Sequence, residues 1–201
     1  MKIKADGSDQ AVPGHAYVDQ MAVTVKSDSA VTFTNKMAGK VLSTSTQTVS
    51  PDGSKLTMEW TDLSGEKPAS GVLTESRVAP GPKGSHAISG SWKAEAMPSA
   101  SDESVTMKFQ SKPNGMILIW NGQTTDANFD GKEYPTAGDP GNTMVTLKRL
   151  DANTFQETDR RLAKVFDIIV RTVSKDGKTM KCIDTDPVHR TKQTWVMEKQ
   201  P

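Results

Sequence analysis

Asp184, Asp186 and His189 crowd into the segment Asp184-Thr185-Asp186-Pro187-Val188-His189. A carboxylate beside an imidazole can take up and return protons near neutral pH, so these three are the candidate base and its orienting partners for hydrolysis. The plainer reading is that His189, like His15 after its Pro-Gly turn, is an exposed loop residue. The third histidine is His86, and no His-x-His or His-x-x-x-His spacing occurs, so no metal site is expected. Cys182, the only cysteine, alternates with Met180 on a strand-like segment and reads as a buried, inert thiol. The sequence contains neither a Gly-x-Ser-x-Gly elbow nor a Gly-x-x-x-x-Gly-Lys-Ser/Thr phosphate loop, and no cofactor is implied.

A second group of residues suits binding rather than catalysis. Trp60 closes a Leu56-Met58 row, Trp120 closes a Met116-Leu118 row, and Trp195 stands with Met197 near the C-terminus. Such aromatics and methionines either fill a core or line an apolar pocket. The expectation for binding is that Met116, Trp120, Trp195 and Met197 line one contiguous apolar region. Asp167 and Arg171 alternate with Phe166, Ile168 and Val170 and so face the opposite way. If that opposite face is solvent, they are ordinary surface charges. If it lines a lumen, Arg171 with Arg149 can hold a ligand carboxylate. The alternation leaves the choice open.

The elements that must position these residues are strands. Period-2 alternation runs through Gln20–Lys26, Lys55–Thr61, Ser104–Gln110 and Phe166–Val170. Turn signals punctuate them at Asp6-Gly7, Pro51-Asp52-Gly53, Asn121-Gly122, Asp130-Gly131 and Asp176-Gly177. The best helix candidate, Asp159–Val165, is equally well a continuing strand or a loop. An all-β, antiparallel sandwich or barrel follows. The 201 residues carry 25 basic and 24 acidic side chains, a balance that gives no reason to expect nucleic acid. No apolar run approaches the ~20 residues of a membrane helix, and no signal-peptide core opens the chain.

The chain also repeats itself. Asp6-Gly7 returns as Asp130-Gly131, and Thr48-Val49-Ser50-Pro51-Asp52-Gly53 as Thr172-Val173-Ser174-Lys175-Asp176-Gly177, both 124 residues later. Val23-Thr24-Val25-Lys26 matches Val145-Thr146-Leu147-Lys148 and Thr32-Phe33 matches Thr154-Phe155 at 122, which asks for a two-residue insertion near 159–162. Duplication of one all-β unit accounts for the series. The expected division is an incomplete first repeat over 1–78, a Pro/Gly linker over 79–87 and a complete repeat over 88–201.

Gly90-Ser91-Trp92-Lys93 opens that second repeat, followed by Asp130-Gly131-Lys132-Glu133-Tyr134-Pro135, Leu147-Lys148-Arg149-Leu150-Asp151 and Val173–Met180. This ordered set resembles a tandem-repeat family of exported bacterial proteins described as lipocalin-like, of calycin type. The resemblance implies a β-barrel holding a small apolar or amphipathic ligand, a Trp plugging one barrel end, and a periplasmic or secreted location; it supplies no catalytic residues. Binding of such a ligand is the expected function, with Trp60, Met116, Trp120, Arg149, Arg171, Trp195 and Met197 as ligand contacts. The alternative is a hydrolase of esterase or glycosidase type using Asp184, Asp186 and His189 at the barrel mouth. A first repeat lacking its opening strands leaves open edges, which predicts a homodimer by strand-edge pairing. Neither nucleic-acid binding nor membrane insertion is expected.

Overall fold

The computed structural model describes residues 2–13, 17–188 and 190–201. Nearly all regular structure is antiparallel strand, as the alternation predicts. One sheet runs in chain order through β1 (Gln10–Ala11), β2 (Gln20–Ser27), β3 (Ala30–Met37), β4 (Lys40–Val49), β5 (Lys55–Asp62), β6 (Ala69–Pro80) and β7 (Gly90–Ala100). A short helix, α1 (Asp102–Val105), follows. The other sheet contains β8 (Met107–Lys112), β9 (Gly115–Trp120), β10 (Gln123–Asn128), β11 (Glu133–Ala137), β12 (Met144–Arg149), β13 (Thr154–Arg161), β14 (Lys164–Val173), β15 (Thr179–Asp186) and β16 (Thr191–Glu198), again in order. Within each sheet every strand pairs with its chain neighbours, an up-and-down order set by hairpin connections. Among the described residues no helix is long and apolar enough to cross a membrane.

By contacts the chain forms two compact units, residues 1–106 with 120–122, and 107–119 with 123–201. This moves the expected boundary. Ala79 and Pro80 end β6, and the rest of the Pro/Gly segment is the loop of a β6–β7 hairpin rather than a linker. Arg77 fixes that loop by donating to Gly53 O (2.6 Å), Ser89 O (2.8 Å) and Ala87 O (2.7 Å) while its guanidinium lies 3.9 Å over the Trp92 ring. Gly90–Ala100 therefore completes the first sheet. Ser104 and Val105 likewise leave the expected strand, because Ser101 opens a turn in which Ser104 N–H and Oγ–H both donate to its carbonyl.

In the second unit Leu118, Ala127, Val145, Leu147 and Phe155 form the core, with Phe109, Met116, Phe129 and Tyr134 packed against it. Phe109 of β8 meets Phe155 of β13 edge to face with ring centroids 6.4 Å apart, although β8 and β13 stand five strand spacings apart in the sheet order. The sheet is thus curled. Its order ends at β8 and β16 without a bond between them, which makes it a half-barrel rather than the closed barrel expected.

Pairing registers agree between the sheets at an offset of 124 from β1–β2 through β4–β5, while β15–β16 is shifted by two residues from β5–β6. Gln10↔Met21 corresponds to Tyr134↔Val145, Gln20↔Lys36 to Met144↔Arg160, Ala30↔Thr48 to Thr154↔Thr172, and Thr44↔Thr61 to Ile168↔Thr185. A bulge falls at Asn35/Lys36 and again at Asp159/Arg160. The two-residue turns Ala38-Gly39 and Leu162-Ala163 both take positive φ, so the helix candidate is a hairpin. No insertion at 159–162 is needed. A two-residue slip preserves the in-out alternation, so the matches at 122 pair residues of like character from a wrong register. Asp52 and Asp176 also build the same turn, each accepting from the serine two residues before it and from the backbone N–H two residues after.

Candidate functional site

Residues directly opposed on neighbouring strands share a face. On β12 to β16 one such row is Arg149, Phe155, Arg171, Cys182 and Trp195; the next is Leu147, Glu157, Ile169, Asp184 and Gln193. Beside them Val145 opposes Asp159, which opposes Asp167. This is the covered face: Leu147 and Cys182 are fully buried, and Arg171 is 2% exposed. The question left by the alternation is thereby answered. Asp167 and Arg171 point inward, and Phe166, Ile168 and Val170 occupy the other side, half-buried.

Arg171 forms a buried ion pair with Glu157, flanked by the Phe109 and Phe155 rings at 5.8 and 5.9 Å, with Met107 Sδ 3.9 Å from Nη2. Arg171 Nε has no hydrogen-bond partner. Because Glu157 already neutralises this guanidinium, the expected clamp of Arg171 with Arg149 on a ligand carboxylate is not what the side chains form. Arg149 instead lies 4.5 Å over the Phe129 ring. It lines a depression of about 430 Å³ with Pro113, Asn114, Asn128, Phe129 and Asp130.

Next to the ion pair stand three carboxyl groups. Asp167 shares a hydrogen bond with Asp184, and Oδ1 of Asp159, Asp167 and Asp184 is buried without a partner in each case. Burial pushes Asp159 up to about 8, reinforced by the charges of Glu157 and Asp167 and opposed by Arg171 and Arg161. Burial likewise pushes Asp167 up to about 8, with the Asp184 hydrogen bond and charge adding to it. A depression of about 130 Å³ opens on this group, lined by Phe166, Asp167, Asp184, Asp186, Thr191 and Gln193.

The first sheet provides an internal control. At the positions 124 residues earlier, Glu157, Asp159, Asp167, Arg171 and Asp184 are replaced by Phe33, Asn35, Ser43, Gln47 and Trp60. There Asn35 Nδ2 donates to Ser43 Oγ at 3.0 Å and Gln47 Nε2 to Met58 Sδ at 3.6 Å. The same registers and bulge form with neutral side chains. The backbone therefore does not require the charged cluster.

Of the residues expected at a site, Asp184 and Asp186 line the smaller depression, and Arg149, Arg171 and Trp195 fall in one row of the same face. Met197 opposes Met180 on the β15–β16 pair, and Met116 packs on the core. Trp120 groups with the first unit, where its Nε1–H donates to Ser104 O at 3.2 Å; it does not join the second unit's apolar region. Trp60 also belongs to the first unit, seated against Gly71, where a Cβ would lie 2.7 Å from the ring. His15 and His189 lie outside the described residues, and His86 Nε2 is 2.7 Å from Ser27 O. Glu157 and Asp159 escaped the sequence reading; their signal was charge at alternating positions of a strand whose inward neighbour is Phe155. Among the described residues no group of His, Cys, Asp and Glu is arranged to hold a metal ion.

No protein-family model matches the chain, and no curated protein matches it.

Proposed function

We propose that the covered face of the second sheet binds a small amphipathic molecule, with its polar end in the depression at Asp167 and Asp184. The observation that carries this is the charged cluster itself, present where the first sheet builds the same framework from neutral side chains. Partnerless buried carboxyl oxygens cost stability, and a ligand's donors would satisfy them. A space of about 130 Å³ admits a head group and not a whole ligand, since enclosed small-molecule pockets run to several hundred Å³. The remainder of the molecule would lie along the apolar surface near Trp195. Protonated carboxyls hydrogen-bond hydroxyls, and on losing their protons they pair with an ammonium group, so alcohols and amines are the favoured head groups.

We propose further that the two units are copies of one lipocalin-like unit. The shared registers, the bulge and the aspartate turn support that reading. A hydrolase is the second reading. A carboxyl held up to about 8 is protonated at neutral pH and suits a general acid, with Asp184 beside it.

The test is tryptophan fluorescence during titration with decylamine, decanol and decanoic acid, with a Trp195→Phe control to assign the signal. Saturable binding of the amine or alcohol, weakened at least tenfold by Asp167→Asn with Asp184→Asn, supports the reading. Absence of binding, or binding indifferent to both substitutions, overturns it. Turnover of aryl esters or glycosides that is lost in the Asp167→Asn variant would select the hydrolase instead.

A further inference from the structure

The first sheet ends in edges that resist pairing. β1 has two residues, and β7 carries Pro98 and meets β6 through three register shifts. Bulges and prolines of this kind blunt an edge. β16 is different. Its residues Thr191 to Glu198 pair with β15 one for one, with no bulge and no proline. The strand in the corresponding place of the first sheet, β6, carries a further strand on that edge, namely β7. Val196 is 60% exposed on β16.

The direction of the free backbone groups can be assigned. Lys199 N–H donates to Lys178 O at 2.8 Å, so odd-numbered residues here turn their N–H and C=O toward β15. The groups of Lys192, Thr194, Val196 and Glu198 therefore point outward. The Glu198 carbonyl agrees, being met by the Gln200 side-chain amide at 3.3 Å.

We infer that β16 pairs antiparallel with β16 of a second copy of this chain about a twofold axis through Trp195. Outward residues must oppose outward residues, so only every second register is allowed. One of these sets Lys192 against Glu198 of the partner subunit, twice by symmetry, and Thr194 against Val196 of the partner subunit. Trp195 then faces its own symmetry mate in the closer, non-hydrogen-bonded type of pair, about 4.5 Å between Cα atoms. Shifting the register by two places Lys192 opposite Val196 of the partner subunit and loses both charge pairs. Opposite charges and facing aromatics are the favoured cross-strand pairs, so this register is the selected one. The edge pairing expected from the sequence thus falls on the second unit, not on the first.

Sedimentation velocity of the full chain from about 1 to 200 μM is the test. A concentration-dependent dimer is expected. Thr194→Pro removes an outward N–H without touching the β15 bonds and should abolish the dimer while the far-ultraviolet spectrum and melting temperature stay unchanged. Lys192→Glu should raise the dissociation constant about tenfold, and Lys192→Glu with Glu198→Lys should restore it. A monomer across the whole range overturns the inference, as does a dimer indifferent to Thr194→Pro or not rescued by the charge swap.

Discussion

Asp159→Asn offers the clearest view of what the carboxyl cluster costs. Asp159 and Asp167 are held up to about 8 against an ordinary 3.8, so between those values the folded chain binds more protons than the unfolded one. Stability must therefore fall as pH rises through that window. Each pK unit corresponds to about 1.4 kcal/mol, and solvent reaching the half-exposed Asp167 screens much of the total. We expect a net cost of about 2 kcal/mol at pH 8.5 and almost none at pH 4.5, which is roughly 8–16 °C in the melting temperature of a unit this size. The amide keeps the shape and has no charge to desolvate, so Asp159→Asn should gain most of this at pH 8.5 and flatten the profile. The aspartates whose values are lowered, such as Asp52 and Asp176 with their serine donors, act in the other direction and only as pH falls below about 4. Thermal melts between pH 4.5 and 8.5 followed by circular dichroism measure the difference. A wild-type melting temperature that climbs toward pH 8.5, with Asp159→Asn less stable there, would refute the reasoning.

Breaking the buried pair by Arg171→Met should cost about 3–5 kcal/mol in urea unfolding, and adding Glu157→Leu should recover part of it. Leu147→Ala, at a site with no exposure, should cost about 2–5 kcal/mol by the same measurement. Gly115→Ala places a Cβ 2.1 Å from Ala127 O and should destabilise the second unit by about 1–3 kcal/mol. The buried Cys182 thiol, whose titration burial pushes upward, should ignore a disulfide reagent until the chain unfolds in denaturant.

The strands and hairpins were legible because alternation and Gly-containing turns are local signals. Asn121-Gly122 and Asp176-Gly177 form tight turns with glycine at positive φ, as their residue types dictate. Partner choice was less legible. Gly90–Ala100 reads as the start of a second unit, yet Arg77 of β6 ties its loop to the β4–β5 turn and the strand joins the first sheet. The face of Asp167 and Arg171 was undecidable because both sides of β14 carry isoleucine or valine. Only the curl that brings Met107 and Phe109 over β13 and β14 decides it. Asp159 was hidden in a segment with helical spacing, since a bulge at Asp159/Arg160 breaks the alternation there.

Calorimetric titration of decylamine at pH 7, run in two buffers of different ionisation enthalpy, tests the binding site most directly. If an ammonium group pairs with the Asp159, Asp167 and Asp184 cluster, the carboxyls must release about one proton per ligand bound. The observed heat should then depend on the buffer, and that dependence should vanish in Asp159→Asn with Asp167→Asn. Heat that is the same in both buffers, or a buffer dependence that survives both substitutions, would contradict the assignment of this face as the site.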